Sequence, residues 1–147
     1  TYPSMPIGNP LDSKTLCGPL HSQMSVDIYT KGLEEIKKQG GKILVGGNVL
    51  SDKGAGFFVE PTIVEIANDA PILNEELFCP ILYVLKFDTL EQAIEINNKV
   101  PQGLSSSLIT QNVANLYKWT GPLGSDCGIV NLNMGPSGAE IGGAFGG

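Results

Sequence analysis

Two adjacent carboxylates, an aromatic ring and a proline crowd into Glu75-Glu76-Leu77-Phe78-Cys79-Pro80, just ahead of an apolar run. A carboxylate on a loop at a sheet edge can accept two hydrogen bonds from vicinal hydroxyls, as acidic residues do for the ribose of dinucleotides. The same residues also read as a solvated acidic turn, and pattern alone leaves both readings open. A second segment, Gly124-Ser125-Asp126-Cys127-Gly128-Ile129-Val130-Asn131, sets a cysteine between an acid and a glycine. A reactive thiolate needs a nearby base or cation. Cys127 instead runs into an apolar strand, and the single histidine, His21, is distant in sequence. Cys127 therefore reads as structural, as do Cys17 and Cys79; a cysteine hydrolase would require Cys127 and His21 in contact. The third segment runs from Pro136 to Gly147 and is rich in glycine. Its backbone N–H groups are free to face an anion at close range, although its composition equally describes a flexible surface loop. Neither GxGxxG followed by a helix nor GxxxxGK[ST] is present, so no phosphate loop is assigned.

The whole chain sets limits on that chemistry. Its 147 residues are 41% hydrophobic and 16% charged, an ordinary globular composition. Nine basic against fifteen acidic residues give a net charge of −6. A phosphate-neutralising surface needs the opposite balance, so neither nucleic acid nor an anionic membrane is expected as a partner. No apolar run approaches the roughly 20 residues that span a bilayer. Three widely spaced cysteines argue against a secreted disulfide framework and for a reducing compartment. With one histidine beside them they form no CxxC or His/Cys cluster, and no metal site is expected.

The elements that must position these residues follow from periodicity. After a Gly/Pro-punctuated loop over residues 7–20, Ser22 can cap a helix whose Val26, Tyr29, Leu33 and Ile36 form one apolar stripe. Lys37 and Lys38 suit the negative end of its dipole, and Gly40-Gly41 ends it. Ile43–Val45 reads as a short buried strand, Phe57–Val59 and Ile63-Val64 as extended segments around Pro61, and Ile81–Phe87 as the strongest strand. A second helix starts at Asp88 or Thr89 with a capping box and stops before Pro101. Leu104–Thr110 is strand-like. A third helix begins near Asn112, carries Val113, Leu116 and Tyr117 on one face, and ends at Gly121-Pro122. Gly128–Leu132 is the last strand. This alternation predicts an α/β fold with a largely parallel sheet and flanking helices, with right-handed crossovers and no linker dividing it.

In order and spacing, four segments resemble the aldehyde dehydrogenase superfamily over nearly the whole chain. They are Gly8-Asn9-Pro10 with Gly18-Pro19-Leu20, Gly56 to Thr62 as GxFxxPT, Glu76 to Pro80 as ExFxP, and Gly103 to Ser107 as GLSSS. Residues 124–131 and 137–147 are similar to its α-aminoadipic semialdehyde dehydrogenase (antiquitin) branch. The resemblance implies that Glu76 holds the nicotinamide ribose hydroxyls of NAD and that Phe78 packs near the nicotinamide. It implies that backbone N–H groups around Gly138 and Ala139 receive a substrate carboxylate, with Phe145 against the aliphatic chain. Met134-Gly135-Pro136 departs from the Ile-Pro-Thr of that branch, so the entry to the loop differs. The reaction implied is aldehyde oxidation through a cysteine thiohemiacetal and thioester with NAD as cofactor.

In the family, the nucleophilic cysteine, the general-base glutamate, the oxyanion-hole asparagine and most of the NAD-binding domain come earlier in the chain than Thr1. Residues 1–147 then form a partial catalytic domain cut at both ends, holding no catalytic residue and inactive by itself. The resemblance implies a homotetrameric parent acting on a small aldehyde in lysine catabolism, in the cytoplasm or mitochondrial matrix. The alternative is a non-catalytic binding or allergen-like fragment of the same family.

Overall fold

The computed structural model describes residues 2–138. The chain divides into two compact units, Thr1–Lys86 and Phe87–Gly147. The sequence shows no linker there because the boundary is a short turn between a strand and a helix cap, without a Gly-, Pro- or Ser-rich stretch.

In the first unit, helix α1 spans Gln23–Lys38 and buries Val26, Tyr29, Leu33 and Ile36, the expected stripe, together with Ser25 and Gly32. Ser22 Oγ accepts the Ser25 N–H at 3.4 Å, satisfying one of the donors a helix start leaves unpaired. At the other end Gly41 N–H donates to Ile36 O (2.8 Å) and Gly40 N–H to Lys37 O (3.1 Å). This is a Schellman closure, which needs the left-handed backbone that Gly40 supplies at φ 83°. Strands β1 (Lys42–Val45), β2 (Thr62–Glu65) and β3 (Ile81–Val84) form a sheet in that order, β1–β2 antiparallel and β2–β3 parallel. Val64 on the central strand is fully buried and pairs with Ile43 and Tyr83. The core joins α1 to β2 and to the turn at Ile72, each fully buried aliphatic side chain contributing about 1.5–3 kcal/mol.

One polar group is threaded through that core. Tyr29 Oη lies 2.7 Å from Thr62 Oγ1 and 2.8 Å from Glu60 O, while Thr62 Oγ1 accepts the Gly47 N–H at 2.9 Å. Burial, more than any neighbour, raises the Tyr29 phenol pKa above its ordinary value, so it stays a neutral donor.

Phe57–Val59 is extended, as expected, through the isolated bridges Leu20 with Phe57 and Val49 with Val59. Two expectations for this unit change. Leu44 is exposed, so β1 is half-buried rather than buried. Strand β3 stops at Val84 because its ladder with β2 ends at the Glu65–Val84 pair, leaving Phe87 exposed.

The second unit contains α2 (Leu90–Asn98), β4 (Ser105–Leu108), α3 (Val113–Thr120) and β5 (Ile129–Leu132), with β4 and β5 parallel. Thr89 is the cap of α2: its Oγ1 accepts the Gln92 N–H at 3.2 Å, and Gln92 Oε1 accepts the Asp88 N–H at 2.7 Å. Asn98 clasps the loop before β5, donating to Gly124 O and accepting from Asp126 N–H, both at 2.9 Å. The face of α3 is not the expected one. Val113 and Tyr117 are exposed, Tyr117 at 76%, and Trp119 is buried. Two apolar arcs overlap at Leu116 on this eight-residue helix, and the larger indole takes the inner one. Parallel pairing in two of the three strand pairs, β2–β3 and β4–β5, with helices alternating between them, makes the fold α/β and largely parallel, as expected.

Candidate functional site

The carboxylate segment is built on α1. A short turn, Pro71–Asn74, precedes it and is tied to the end of α1 by Gln39, whose Oε1 accepts the Ile72 N–H at 3.0 Å. Leu77 and Cys79 then turn inward, packed against the core. The Cys79 thiol donates towards Leu77 O (3.1 Å) and Ser25 O (3.6 Å). Leu77 seats against Gly32, where an added Cβ would come within 2.7 Å of Leu77 Cδ1. Ser25 and Gly32 are seven residues apart, two helical turns, and so share one face of α1. Beyond Cys79, Thr62 N–H donates to Pro80 O at 2.8 Å and carries the chain into β3.

Between those anchors the alternate residues face out. Glu76 is exposed, and Phe78 is 82% exposed with φ 50°. A bulky residue in the left-handed region costs of order 1–3 kcal/mol and persists only where its surroundings over-determine it. Here Leu77 on one side and Cys79 on the other do so. The turn therefore exposes a carboxylate and, two residues on, an aromatic ring, the two group types that a ribose diol and a flat heteroaromatic ring require. Both sequence-expected cofactor residues, Glu76 and Phe78, are on it.

In the second unit the chain leaving β5 carries the other expected site. Asn131 Nδ2 donates to Gly135 O (2.8 Å) and Gly138 O (3.1 Å). Ser107 Oγ donates to Met134 O. Asn133, at φ 55°, accepts the Thr110 N–H through Oδ1 at 2.8 Å. Gly138 thus stands at the end of a turn held by side-chain donors. Ala139 and Phe145 lie outside the described residues.

The remaining candidates are engaged locally. Burial raises the Cys79 thiol pKa, keeping it protonated. Asn97 Nδ2 lies 3.8 Å from Cys127 Sγ and donates to Ser125 Oγ at 3.1 Å. The ring of His21 contacts Ser25 Oγ (2.9 Å) and Ser22 Oγ (3.3 Å). No group of three or more His, Cys, Asp or Glu residues suited to a metal occurs among the described residues. Sequence reasoning missed the supports, Gly32, Ser107, Asn131 and Asn133. Only Gly32 left a signal, as an isolated glycine inside a strong helical pattern.

Comparison with known proteins places the chain in a family and matches its fold. A putative aldehyde dehydrogenase family 7 member A1 homolog of Dictyostelium discoideum is 62% identical over 99% of this chain and 28% of that protein. The alpha-aminoadipic semialdehyde dehydrogenase of Mus musculus is 52% identical over 99% of this chain and 27% of its own length. The crystal structure of PnpE in complex with nicotinamide adenine dinucleotide superposes with a TM-score of 0.88 at 35% identity, covering 99% of this chain and 30% of PnpE. The chain thus spans about 28% of the length of such relatives. The sequence profile of the aldehyde dehydrogenase family matches residues 1–147 from end to end, and to that family the chain belongs.

Proposed function

We propose that the chain is the part of an NAD-dependent aldehyde dehydrogenase that presents the nicotinamide ribose site and the substrate-carboxylate loop, and that the parent oxidises α-aminoadipic semialdehyde. The observation that carries the cofactor reading is the exposed pair on the Glu76–Phe78 turn, a carboxylate and, two residues on, a ring held at φ 50°. These residues fit NAD: the Glu76 carboxylate accepts from two hydroxyls, and Phe78 gives an apolar face. When bound, NAD supplies the hydride acceptor. Glu76 fixes the ribose, each charge-assisted hydrogen bond contributing about 1.5–3 kcal/mol. Phe78 limits water beside it.

The substrate reading rests on the turn leading to Gly138 and on the similarity to the mouse enzyme of that name. N–H groups around Gly138 and Ala139 receive the carboxylate, and Phe145 packs on the chain between carboxylate and aldehyde. None of these groups is a nucleophile or base, so the 147-residue chain alone is inactive in this reading. The three free cysteines suit a reducing compartment, the cytosol or the mitochondrial matrix.

The test is Glu76→Gln in the full-length parent. NAD KM rises, or the hydride step slows, while thermal stability is nearly unchanged, because the side chain is exposed. A variant that unfolds while its folded fraction keeps normal NAD kinetics would make Glu76 a structural turn residue.

A further inference from the structure

We propose that Gly32 of α1 is a positioning residue for the Glu76–Phe78 turn: having no side chain, it provides the seat for Leu77 that fixes where Glu76 and Phe78 face. The inference rests on the NAD-ribose reading of that turn. Gly32 is buried in the middle of α1, where glycine is a poor helix former. Its neighbours on the same face, Tyr29, Leu33 and Ile36, are large. The three atoms nearest a Cβ built at Gly32 all belong to Leu77: Cδ1 at 2.7 Å, Cδ2 at 3.6 Å and Cγ at 3.7 Å. The glycine is therefore matched to one side chain, and that side chain lies between the two residues the cofactor would touch.

The end of a leucine can swing away from a crowding methyl, but here little room is left for it to do so without moving the turn. Leu77 is packed against the core on its inner side. Its carbonyl receives the Cys79 thiol at 3.1 Å, and the next residue, Phe78, is held at φ 50°. A methyl at position 32 therefore displaces the turn or expels Leu77 from its seat. Either outcome moves Glu76 and Phe78 together.

The experiment uses the full-length enzyme and compares Gly32→Ala, Leu77→Val, the double variant and Glu76→Gln. Gly32→Ala is expected to raise NAD KM about tenfold and to leave aldehyde KM within about twofold, since misplacement of a positioning group acts on the ligand it positions. Leu77→Val removes one methylene where Gly32→Ala adds one, so the double variant conserves volume and is expected to return NAD KM to within about threefold of the parent. A purely structural role predicts something else: alanine favours the helix, Tm rises or holds, and NAD KM does not move, which overturns the proposal. Should Gly32→Ala fail to fold, Leu77→Val alone is decisive, with NAD KM raised about threefold by the loosened seat and an unchanged value overturning the proposal. Glu76→Gln separates the two levels. If it raises NAD KM while Gly32→Ala and Leu77→Val do not, the seat is wrong and the ribose site stands. If Glu76→Gln leaves both NAD KM and the hydride step unchanged, both fall.

Discussion

The two candidate ligand-binding segments are held by opposite means. The Glu76–Phe78 turn is set by volume, with Leu77 seated on Gly32 and Cys79 packed on α1 over a core that includes Tyr29, Ile36 and Val64. The turn leading to Gly138 is set by donors: the Asn131 carboxamide reaches two carbonyls, Ser107 reaches a third, and Asn133 receives a backbone N–H. Their units differ in the same direction. Ten of the eleven buried hydrophobic residues described are in the first unit, and Trp119 is the one in the second. A site held by packing tolerates changes of charge and resists changes of size. A site held by directed hydrogen bonds does the reverse.

That contrast can be broken most sharply in the core. Ile36→Ala in the full-length enzyme should cost about 2–5 kcal/mol by thermal or urea denaturation, whereas truncating the exposed Leu123 should stay within about 0.5 kcal/mol. Asn131→Ala comes next. Losing two donors of about 0.5–1.5 kcal/mol each should lower kcat/KM for α-aminoadipic semialdehyde roughly tenfold, with hexanal and NAD KM little changed. Asn131→Asp keeps the shape but replaces the donor with an acceptor facing two carbonyls, and should be worse than alanine. Equal losses for both aldehydes would mean that the turn merely supports the fold. Tyr29→Phe should cost about 0.5–1.5 kcal/mol of stability by removing its hydrogen bonds, since Thr62 Oγ1 and Glu60 O stay paired with each other at 2.9 Å, without touching either ligand's KM.

The smallest effect is expected from two ion pairs, Lys86–Glu65 in the first unit and Lys118–Glu91 in the second, each at 2.6 Å, with Glu65 half-buried and the other three side chains exposed. A hydrogen bond from the lysine is the first cause that lowers both carboxylate pKa values below the ordinary 4.5. A depressed folded-state pKa contributes stability above the ordinary value and loses it as pH falls through the folded one. Glu91→Gln and Glu65→Gln should therefore match the parent in salt, differ slightly from it at neutral pH, and converge with it below pH 4.5. A large loss from either would show that the pair is not solvent-screened.

Periodicity made the frame legible where one face dominates. The α1 stripe, its Ser22 cap and its Gly40-Gly41 stop are where the pattern puts them; the structure chooses Thr89 over Asp88 as the cap of α2 and caps α3 at Asn112, near the expected place. It fails on α3, where Val113-Leu116-Tyr117 and Leu116-Trp119 are both apolar arcs and only tertiary packing chooses between them. The ends of β3 and β4 fail for a related reason: a strand stops where its partner stops, and the partner is distant in sequence. At the site, the order of Glu76 and Phe78 could be read from the motif, but the left-handed backbone of Phe78 could not. Glycine is the usual mark of that conformation, and none stands there. Asn131 gave no sign either, because its targets are carbonyls, which every residue has.

Trp119 is the only tryptophan of the chain, buried to 6% exposure with an indole N–H that finds no partner within the described residues. The 147-residue chain thus carries a built-in optical label confined to one of its two units. Its emission follows the indole from a buried setting to water, and so reports when the second unit opens. The first unit is silent in that channel, whereas far-ultraviolet dichroism sums α1 with α2 and α3 and follows both units. Melting curves taken both ways on one sample show whether the chain unfolds in one step or in two.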